Sequence, residues 1–193
     1  MKISHRMGWL SVPILILFLS SLACNLPGRE PATETPLPTI PVSTEAVASL
    51  QDTLTAAKDA FENNQTVEIT VNESQLTSLV ARELESDPEI PLTDPQIYLR
   101  DGQVTLIASL TQNQIAVPVE IVLVLSADGQ GNPEYEVIKG QVGPLPVPEN
   151  LMNRLTSRLD ESIASWTRVD DRQVFVESIA VGDGNLTLRG FLR

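Results

Sequence analysis

The residue types that enzymes most often use for nucleophilic catalysis are scarce in this chain. His5 is the only histidine and Cys24 is the only cysteine of the 193 residues. If a leading segment is removed just before Cys24, the mature chain has no histidine. Serine–histidine and cysteine–histidine catalysis are then excluded. Zinc sites of the usual kind are excluded by the same lack of ligands.

Carboxylates are the remaining groups that could act as acids, bases or ligands. They come together at Asp170-Asp171 and across Glu83, Glu85 and Asp87. Paired carboxylates can hydrolyse glycosides, but such clefts are usually lined with aromatic residues, which are only 4% of this chain. We interpret these acids as solvated surface. The segment 128–132 lacks the ligand spacing and closing glutamate of an EF-hand, so it predicts a turn. We therefore predict that the protein is not an enzyme, and that it has no catalytic residue, bound metal or cofactor.

The segment before Cys24 has the layout of a bacterial secretory signal. Basic residues at positions 2 and 6 precede an apolar run from Trp9 to Leu22. The sequence Ser21-Leu22-Ala23-Cys24 places a small residue before the cysteine, and it resembles the cleavage site of lipoproteins, in which that cysteine is acylated. One alternative is an uncleaved anchor, although the run is shorter than the ~20 residues of a spanning helix. The other is ordinary secretion with a free thiol.

This pattern predicts three parts: a signal peptide at 1–23, a tether at 24–43 that begins with acylated Cys24, and a folded domain at 44–193. The tether is rich in proline and threonine and has few bulky apolar residues, so it cannot form a core. The expected location is the outer face of a bacterial membrane, held there by the lipid on Cys24.

The charge of the chain excludes one class of partner. The formal net charge is −12, and it becomes −14 when the signal peptide takes Lys2 and Arg6 with it. Nucleic-acid binding needs clustered lysine and arginine, so no nucleic-acid partner is expected. The excess negative charge instead favours a domain that stays soluble beside the membrane.

Three segments have apolar residues at helical spacing. The first begins at a cap formed by Ser43 or Thr44 and ends near Asn63. The second is capped by Asn72, with Gln75 three residues later as in a capping box. The third runs from about Pro148 to Trp166, with the proline in the first turn, where its missing N–H costs nothing. The three prolines between residues 86 and 95 predict a loop.

From Gln96 onward the apolar period changes to two, which predicts a meander of antiparallel strands. Asp101-Gly102 and Asp183-Gly184 supply the positive φ angles that two-residue hairpin turns need. The strand 115–125 is apolar on both faces over half its length, and 174–181 shows the same character. A sheet with one wet face should alternate more cleanly, so we expect helices or an apolar ligand to cover both faces in places.

The order of these elements resembles the LmeA-like and YpmS-like bacterial envelope proteins, whose architecture is related to tubular lipid-binding (TULIP) domains. The resemblance covers roughly 45–193 and is carried by the segments Ile69–Leu76, Leu99–Val104, Val142–Pro148 and Val181–Leu188. It implies an α+β fold in which a curved antiparallel meander wraps around a long α-helix as a half-barrel. It also implies phospholipid binding in a groove between sheet and helix, without catalysis.

In such a fold the lining would come from inner strand faces and from helix stripes, and these positions are Phe61, Val122, Val124, Met152, Ile163, Trp166 and Phe175. The first hypothesis is that the protein passively binds a phospholipid or another long apolar molecule there, driven by burial. The alternative is a structural or interaction module that binds an envelope protein and holds no lipid. In that case the same side chains are core.

Overall fold

The computed structural model describes residues 37–63, 65–112, 115–169 and 172–193. The signal peptide, Cys24, most of the tether and the pair Asp170-Asp171 lie outside the described residues. The described part holds three helices, α1 (Thr44–Glu62), α2 (Glu73–Ser86) and α3 (Glu149–Trp166).

The strands form two antiparallel sheets. Sheet I has the order β1-β9-β8-β7 and sheet II has the order β2-β3-β4-β5-β6. The bounds are β1 (Val67–Asn72), β2 (Leu92–Arg100), β3 (Gln103–Gln112), β4 (Ile115–Ala127), β5 (Pro133–Val142), β6 (Leu145–Pro146), β7 (Arg168–Val169), β8 (Arg172–Gly182) and β9 (Asn185–Leu192). The expectation of an α+β fold with curved antiparallel sheets is confirmed.

The helix starts follow the predicted capping chemistry. The Ser43 hydroxyl accepts a hydrogen bond of 3.0 Å from the Ala46 N–H at the start of α1. At the start of α2, Asn72 and Gln75 exchange backbone-to-side-chain hydrogen bonds of 2.9 Å in both directions, so the capping box is confirmed. Each cap satisfies N–H groups that have no partner within their helix.

The prediction of a loop at residues 86–95 is partly wrong. β2 already begins at Leu92, and its register against β3 shifts between Thr93 and Gln96. Asp94 has a φ of 52° within this irregularity. A bulge at an edge strand tolerates Pro95, whose missing N–H would break a central ladder, so the prolines did not exclude a strand here.

α2 covers the free edge of β2. The Ile97 N–H donates to the Thr77 hydroxyl over 2.9 Å, and the Leu99 N–H donates to Glu73 Oε1 over 2.8 Å. Four residues of helix rise ~6.0 Å and two residues of strand ~6.6 Å, so these side chains match alternate N–H groups of the edge. Pro95, the next position in this alternation, has no N–H to satisfy.

Two similar hairpins join the sheets. Residues 99–106 (LRDGQVTL) of sheet II and 181–188 (VGDGNLTL) of sheet I share Asp-Gly turns, with φ of 52° at each aspartate and 77° at each glycine. The Gly102 N–H donates to Val181 O over 3.1 Å, and the Gly184 N–H donates to Leu99 O over 3.0 Å. Each glycine thus bonds the residue two before the other turn's aspartate, which makes a pseudo-twofold junction.

The apolar side chains form two cores. The sheet II core packs one face of that sheet against Leu151 of α3 and contains the buried residues Ile90, Leu92, Ala108, Leu110, Val119, Ile121 and Leu151. The sheet I core packs α1 onto sheet I and contains Ala57, Phe61, Val67, Val169, Val174 and Val176. α3 therefore belongs to sheet II, and α1 belongs to sheet I.

The folded unit begins before α1. Ile40 is buried, its N–H donates to Gln96 Oε1 over 2.6 Å, and its carbonyl accepts from Gln96 Nε2 over 3.2 Å. The Ser43 N–H donates to Ser78 Oγ over 3.1 Å. Composition assigned residues 40–43 to the tether, and these contacts attach them to the domain.

Candidate ligand groove

The apolar stripe of α3 is only partly covered. Leu151 is buried, whereas Leu155, Leu159 and Ile163 are half-buried and Trp166 is 43% exposed. A stripe of this kind normally faces a core along its whole length. The cover of α3 therefore weakens from its first turn to its last.

The strand under α3 explains the difference between the two halves of the helix. A Cβ at Gly140 would lie 2.7 Å from Met152 Cε, so the missing side chain allows the first half of α3 to approach β5 closely. Tyr135, five residues earlier on β5, faces the second half, where its hydroxyl meets Asp160. The first half of α3 thus packs against a glycine of β5, and the second half meets the large side chain of Tyr135.

A groove opens between the second half of α3 and the start of β5. Its volume is about 610 Å³. Its walls come from both elements and consist of Asn132, Pro133, Glu134, Tyr135, Asp160, Ile163, Ala164 and Thr167. This volume lies within the ~300–1,000 Å³ range of small-molecule sites.

The polar wall of the groove accepts hydrogen bonds. Tyr135 donates to Asp160 Oδ1 over 2.8 Å, and burial, followed by this bond, raises the pKa of the Tyr135 phenol above its usual value. Glu134 and Asp160 are the charged residues of the lining, and no lysine or arginine is among the residues that form it. The site therefore suits a neutral or cationic polar group better than a phosphate.

The turn before β5 holds Asn132 in place at the groove. Asp128 accepts from the Asn132 side chain over 2.8 Å and from the backbone N–H groups of Gln130 and Asn132 over 2.7 Å each. The Asn132 side chain and then its N–H lower the pKa of the Asp128 carboxyl. Gln173 of β8 donates to Asn132 Oδ1 over 2.8 Å. The segment is a turn, as predicted, and its carboxylate is used to shape it.

Three of the predicted lining residues lie on α3, and one of them, Ile163, lines the groove. Trp166 lies three residues further along the helix. Met152 lies in the first half of α3 and packs against the sheet II core. α3 thus contributes one predicted residue to the wall itself.

The predicted residues on other elements lie elsewhere. Phe61 is buried in the sheet I core. Val122 is buried, and Val124 is half-buried opposite Glu136. Phe175 stacks on Phe191 with ring centroids 5.1 Å apart. The chain itself buries Val122, so part of the two-sided apolar pattern of β4 needs no ligand.

The arginines that could meet a phosphate are engaged within the chain. Arg100 pairs with Glu73, and Arg189 pairs with Glu177 over 2.9 Å. Arg158 pairs with Asp87 over 2.7 Å and with Glu161 over 2.8 Å. Arg154 donates to the carbonyl of Glu89, and Arg193 lies 5.7 Å from the Phe175 ring centroid.

The polar wall was not predicted from the sequence, although two patterns relate to it. Asp160 lies three residues before Ile163, which places both on neighbouring positions of one helix face. The alternation of β4 and β5 places Tyr135 opposite Leu125, on the face that carries Val119. Neither pattern predicts that α3 passes over Tyr135, so the contact between Tyr135 and Asp160 could not be predicted from them.

The described chain has neither a metal cluster nor a membrane-spanning helix. Within the described residues, no group of three histidine, cysteine, aspartate or glutamate side chains could hold a metal ion. No described helix has the length and hydropathy to cross a bilayer. No family model matches this chain, and no curated protein is significantly similar to it.

Proposed function

We propose that this protein is a membrane-anchored envelope lipoprotein that binds a long apolar molecule between sheet II and α3, without catalysis. The observation that carries the proposal is the incomplete cover of the α3 stripe above a groove of about 610 Å³. Burial of an acyl or similar chain against Ile163 and its neighbours would complete that cover, and burial supplies the driving force.

The polar wall narrows the ligand class. Glu134 and Asp160 line the groove. The partners of five arginines lie elsewhere in the chain, and these arginines are Arg100, Arg154, Arg158, Arg189 and Arg193. A ligand whose polar end donates hydrogen bonds or carries positive charge suits this wall, because a phosphate would face two carboxylates. The resemblance of the sequence to TULIP-like proteins supports the lipid class but not a particular headgroup.

The location of the protein in the cell is part of the same proposal. Acylated Cys24 holds the chain at the outer face of a bacterial membrane, and the tether leaves the domain room to meet its ligand. The excess of acidic residues keeps the domain from lying flat on anionic lipid.

The experiment is lipid analysis of the full-length protein purified in detergent. We expect one retained apolar molecule per chain, beyond the acyl groups on Cys24. An Ile163→Glu variant should retain at least tenfold less, because it places a charge on the apolar wall. Ile138→Glu is the matched control, since Ile138 is 47% exposed on β5 and does not line the groove.

The second candidate is the interaction module that binds an envelope protein and holds no lipid. The burial of Phe61 and Val122 within the chain favours it, because these side chains need no outside cover. Wild-type protein without lipid above the detergent background, or equal retention by Ile163→Glu, would exclude the groove and leave this candidate.

A further inference from the structure

One end of sheet II exposes an uncharged apolar surface. We call it the tip. Ile115 is 65% exposed and Leu145 is 66% exposed, the two largest values among the large apolar residues of the described chain. The tip consists of the exposed residues Ile115, Ala116, Pro118, Pro144, Leu145 and Pro146.

The tip combines the start of β4 with the β5–β6 turn, which lie toward the same end of sheet II. Val142 pairs with Val119 of β4 and with Leu145 of β6, and Ile115 lies four residues from Val119. The alternation of strands therefore places Ile115 and Leu145 on one face. The Gly143 N–H donates to Pro118 O over 2.8 Å and fixes the β5–β6 turn against β4.

Charge separates the tip from the rest of the protein. Residues 111–119 and 140–148 contain no charged side chain, although 20% of the chain is charged and its net charge is −12. At the other end of sheet II lie Asp128, Glu134 and, on α3, Asp160. An anionic lipid surface repels that carboxylate end but not the uncharged tip.

The chain enters the domain at β2, an edge strand of sheet II. Ile40 bonds Gln96, and Gln96 pairs with Ile107 midway along β3. From there α1 leads away from the tip to the sheet I core. The chain from Cys24 to Ile40 can extend roughly 50 Å. The tip lies only about 15 Å along β3 from Ile107, so the tether is long enough for it to reach the membrane.

We propose that the tip rests on the lipid bilayer that holds Cys24. This inference depends on the anchor of the proposed function. Burial of Ile115 and Leu145 at the lipid interface supplies the attraction. Measured along β4 from Ile115, the ligand groove then lies about 40 Å away, since it is near the other end of that strand and strands rise ~3.3 Å per residue. The groove would thus lie toward the end of sheet II that is away from the membrane.

Spin labels on the full-length chain in vesicles test this orientation. Single cysteines replace Ile115 or Leu145 at the tip, and Ile138 or Glu83 as exposed controls away from it and from the groove. Vesicles contain phosphatidylcholine and phosphatidylglycerol in a two-to-one ratio. We expect the tip labels to be at least fivefold less accessible to a nickel chelate than the control labels, and more accessible to oxygen. Equal accessibility at all four positions would overturn the proposal.

Two further outcomes separate the tip from its alternatives. Protection that also occurs without vesicles and grows with protein concentration would identify a second copy as the occupant and overturn the bilayer. A free thiol at Cys24, detected by mass spectrometry, would contradict acylation of Cys24 but not membrane binding by the tip. Membrane binding by the tip is then tested by vesicle flotation. The Ile115→Glu/Leu145→Glu double variant should float at least tenfold less than wild type, and equal flotation would contradict the proposal.

Discussion

The phenol of Tyr135 on β5 donates a hydrogen bond of 2.8 Å to Asp160 Oδ1 on α3. This bond crosses the groove wall and ties the second half of the helix to sheet II. Both residues line the groove, so the bond links its two sides.

Replacement of Tyr135 by phenylalanine keeps the ring but removes this tie. We expect the free energy of unfolding to fall by about 0.5–1.5 kcal/mol, the usual net contribution of one hydrogen bond. Amide exchange should accelerate in residues 160–167 more than elsewhere in α3. Urea unfolding and hydrogen exchange measure both effects. Glu134→Gln, a change at an exposed neighbour, serves as the control and should leave the exchange of α3 unchanged.

The two tyrosines of sheet II predict a loss of stability in alkali. Burial raises the pKa of Tyr98 and of Tyr135 above the usual value of 10.0. An acid whose pKa is higher in the folded state binds its proton more tightly there, so its contribution is complete below pH 10 and declines as the pH rises above it. The free energy of unfolding should therefore fall as the pH rises above 10, in the range where the phenols ionise. Tyr98→Phe should reduce this slope, and an unchanged slope would contradict the prediction.

The local signals of the sequence were strong enough to predict most elements. The cap at Ser43, the capping box at Asn72 and both Asp-Gly turns depend on neighbours in the chain, and the structure confirms them. The bounds of β4, Ile115–Ala127, also agree with the alternation of its residues. Each of these features is decided within a few residues.

The features that were not predicted correctly depend on residues that are distant in the sequence. β2 begins at Leu92 because β3 offers it a ladder and α2 covers its edge, and neither is visible in the proline pattern of 86–95. The groove likewise depends on how α3 crosses β5. Apolar periodicity separates covered from exposed faces, but it does not tell a core residue such as Phe61 from a groove residue such as Ile163.

Glu73 joins three elements, and its loss should be costly. Its carboxylate accepts from the Leu99 N–H and pairs with Arg100, while its own N–H donates to Gly184 O over 3.1 Å. Glu73→Ala leaves the edge N–H of Leu99 without this acceptor, so we expect a loss of about 1.5–3 kcal/mol. Glu83→Ala is the matched control on the same helix, because Glu83 is 66% exposed and should change stability by less than ~0.5 kcal/mol. Equal losses in urea unfolding would show that the Glu73 contacts add no stability.

Two glycines with positive φ should respond differently to alanine. Gly102 (φ 77°) would place a Cβ in open space, so the cost is that of the left-handed backbone, about 1–2 kcal/mol. Gly131 (φ 84°) would place its Cβ on the Phe175 ring, which must then leave its stack on Phe191. Gly131→Ala should therefore lose at least ~1 kcal/mol more than Gly102→Ala. Thermal unfolding of both variants measures the difference, and the reverse order would contradict the packing of Phe175.

The pair of Asp87 and Arg158 predicts a loss of stability in acid. The N–H of Glu89, followed by Arg158, lowers the pKa of the Asp87 carboxyl below its usual value of 3.8. An acid whose pKa is lower in the folded state stabilises the fold above its unfolded pKa, and this contribution disappears as the pH falls through the folded value. The melting temperature of Asp87→Asn should therefore lie below that of wild type at pH 7, and the two should converge by pH 2.

Glu85→Asn is the control for Asp87→Asn, because Glu85 is an exposed acid of α2 two residues away. Its melting temperature should follow that of wild type at both pH values. A gap between Asp87→Asn and wild type that is as large at pH 2 as at pH 7 would mean that the asparagine disturbs the α2–β2 loop by shape alone. In that case the bond from Arg158 to Asp87 does not hold α3 to the loop through charge.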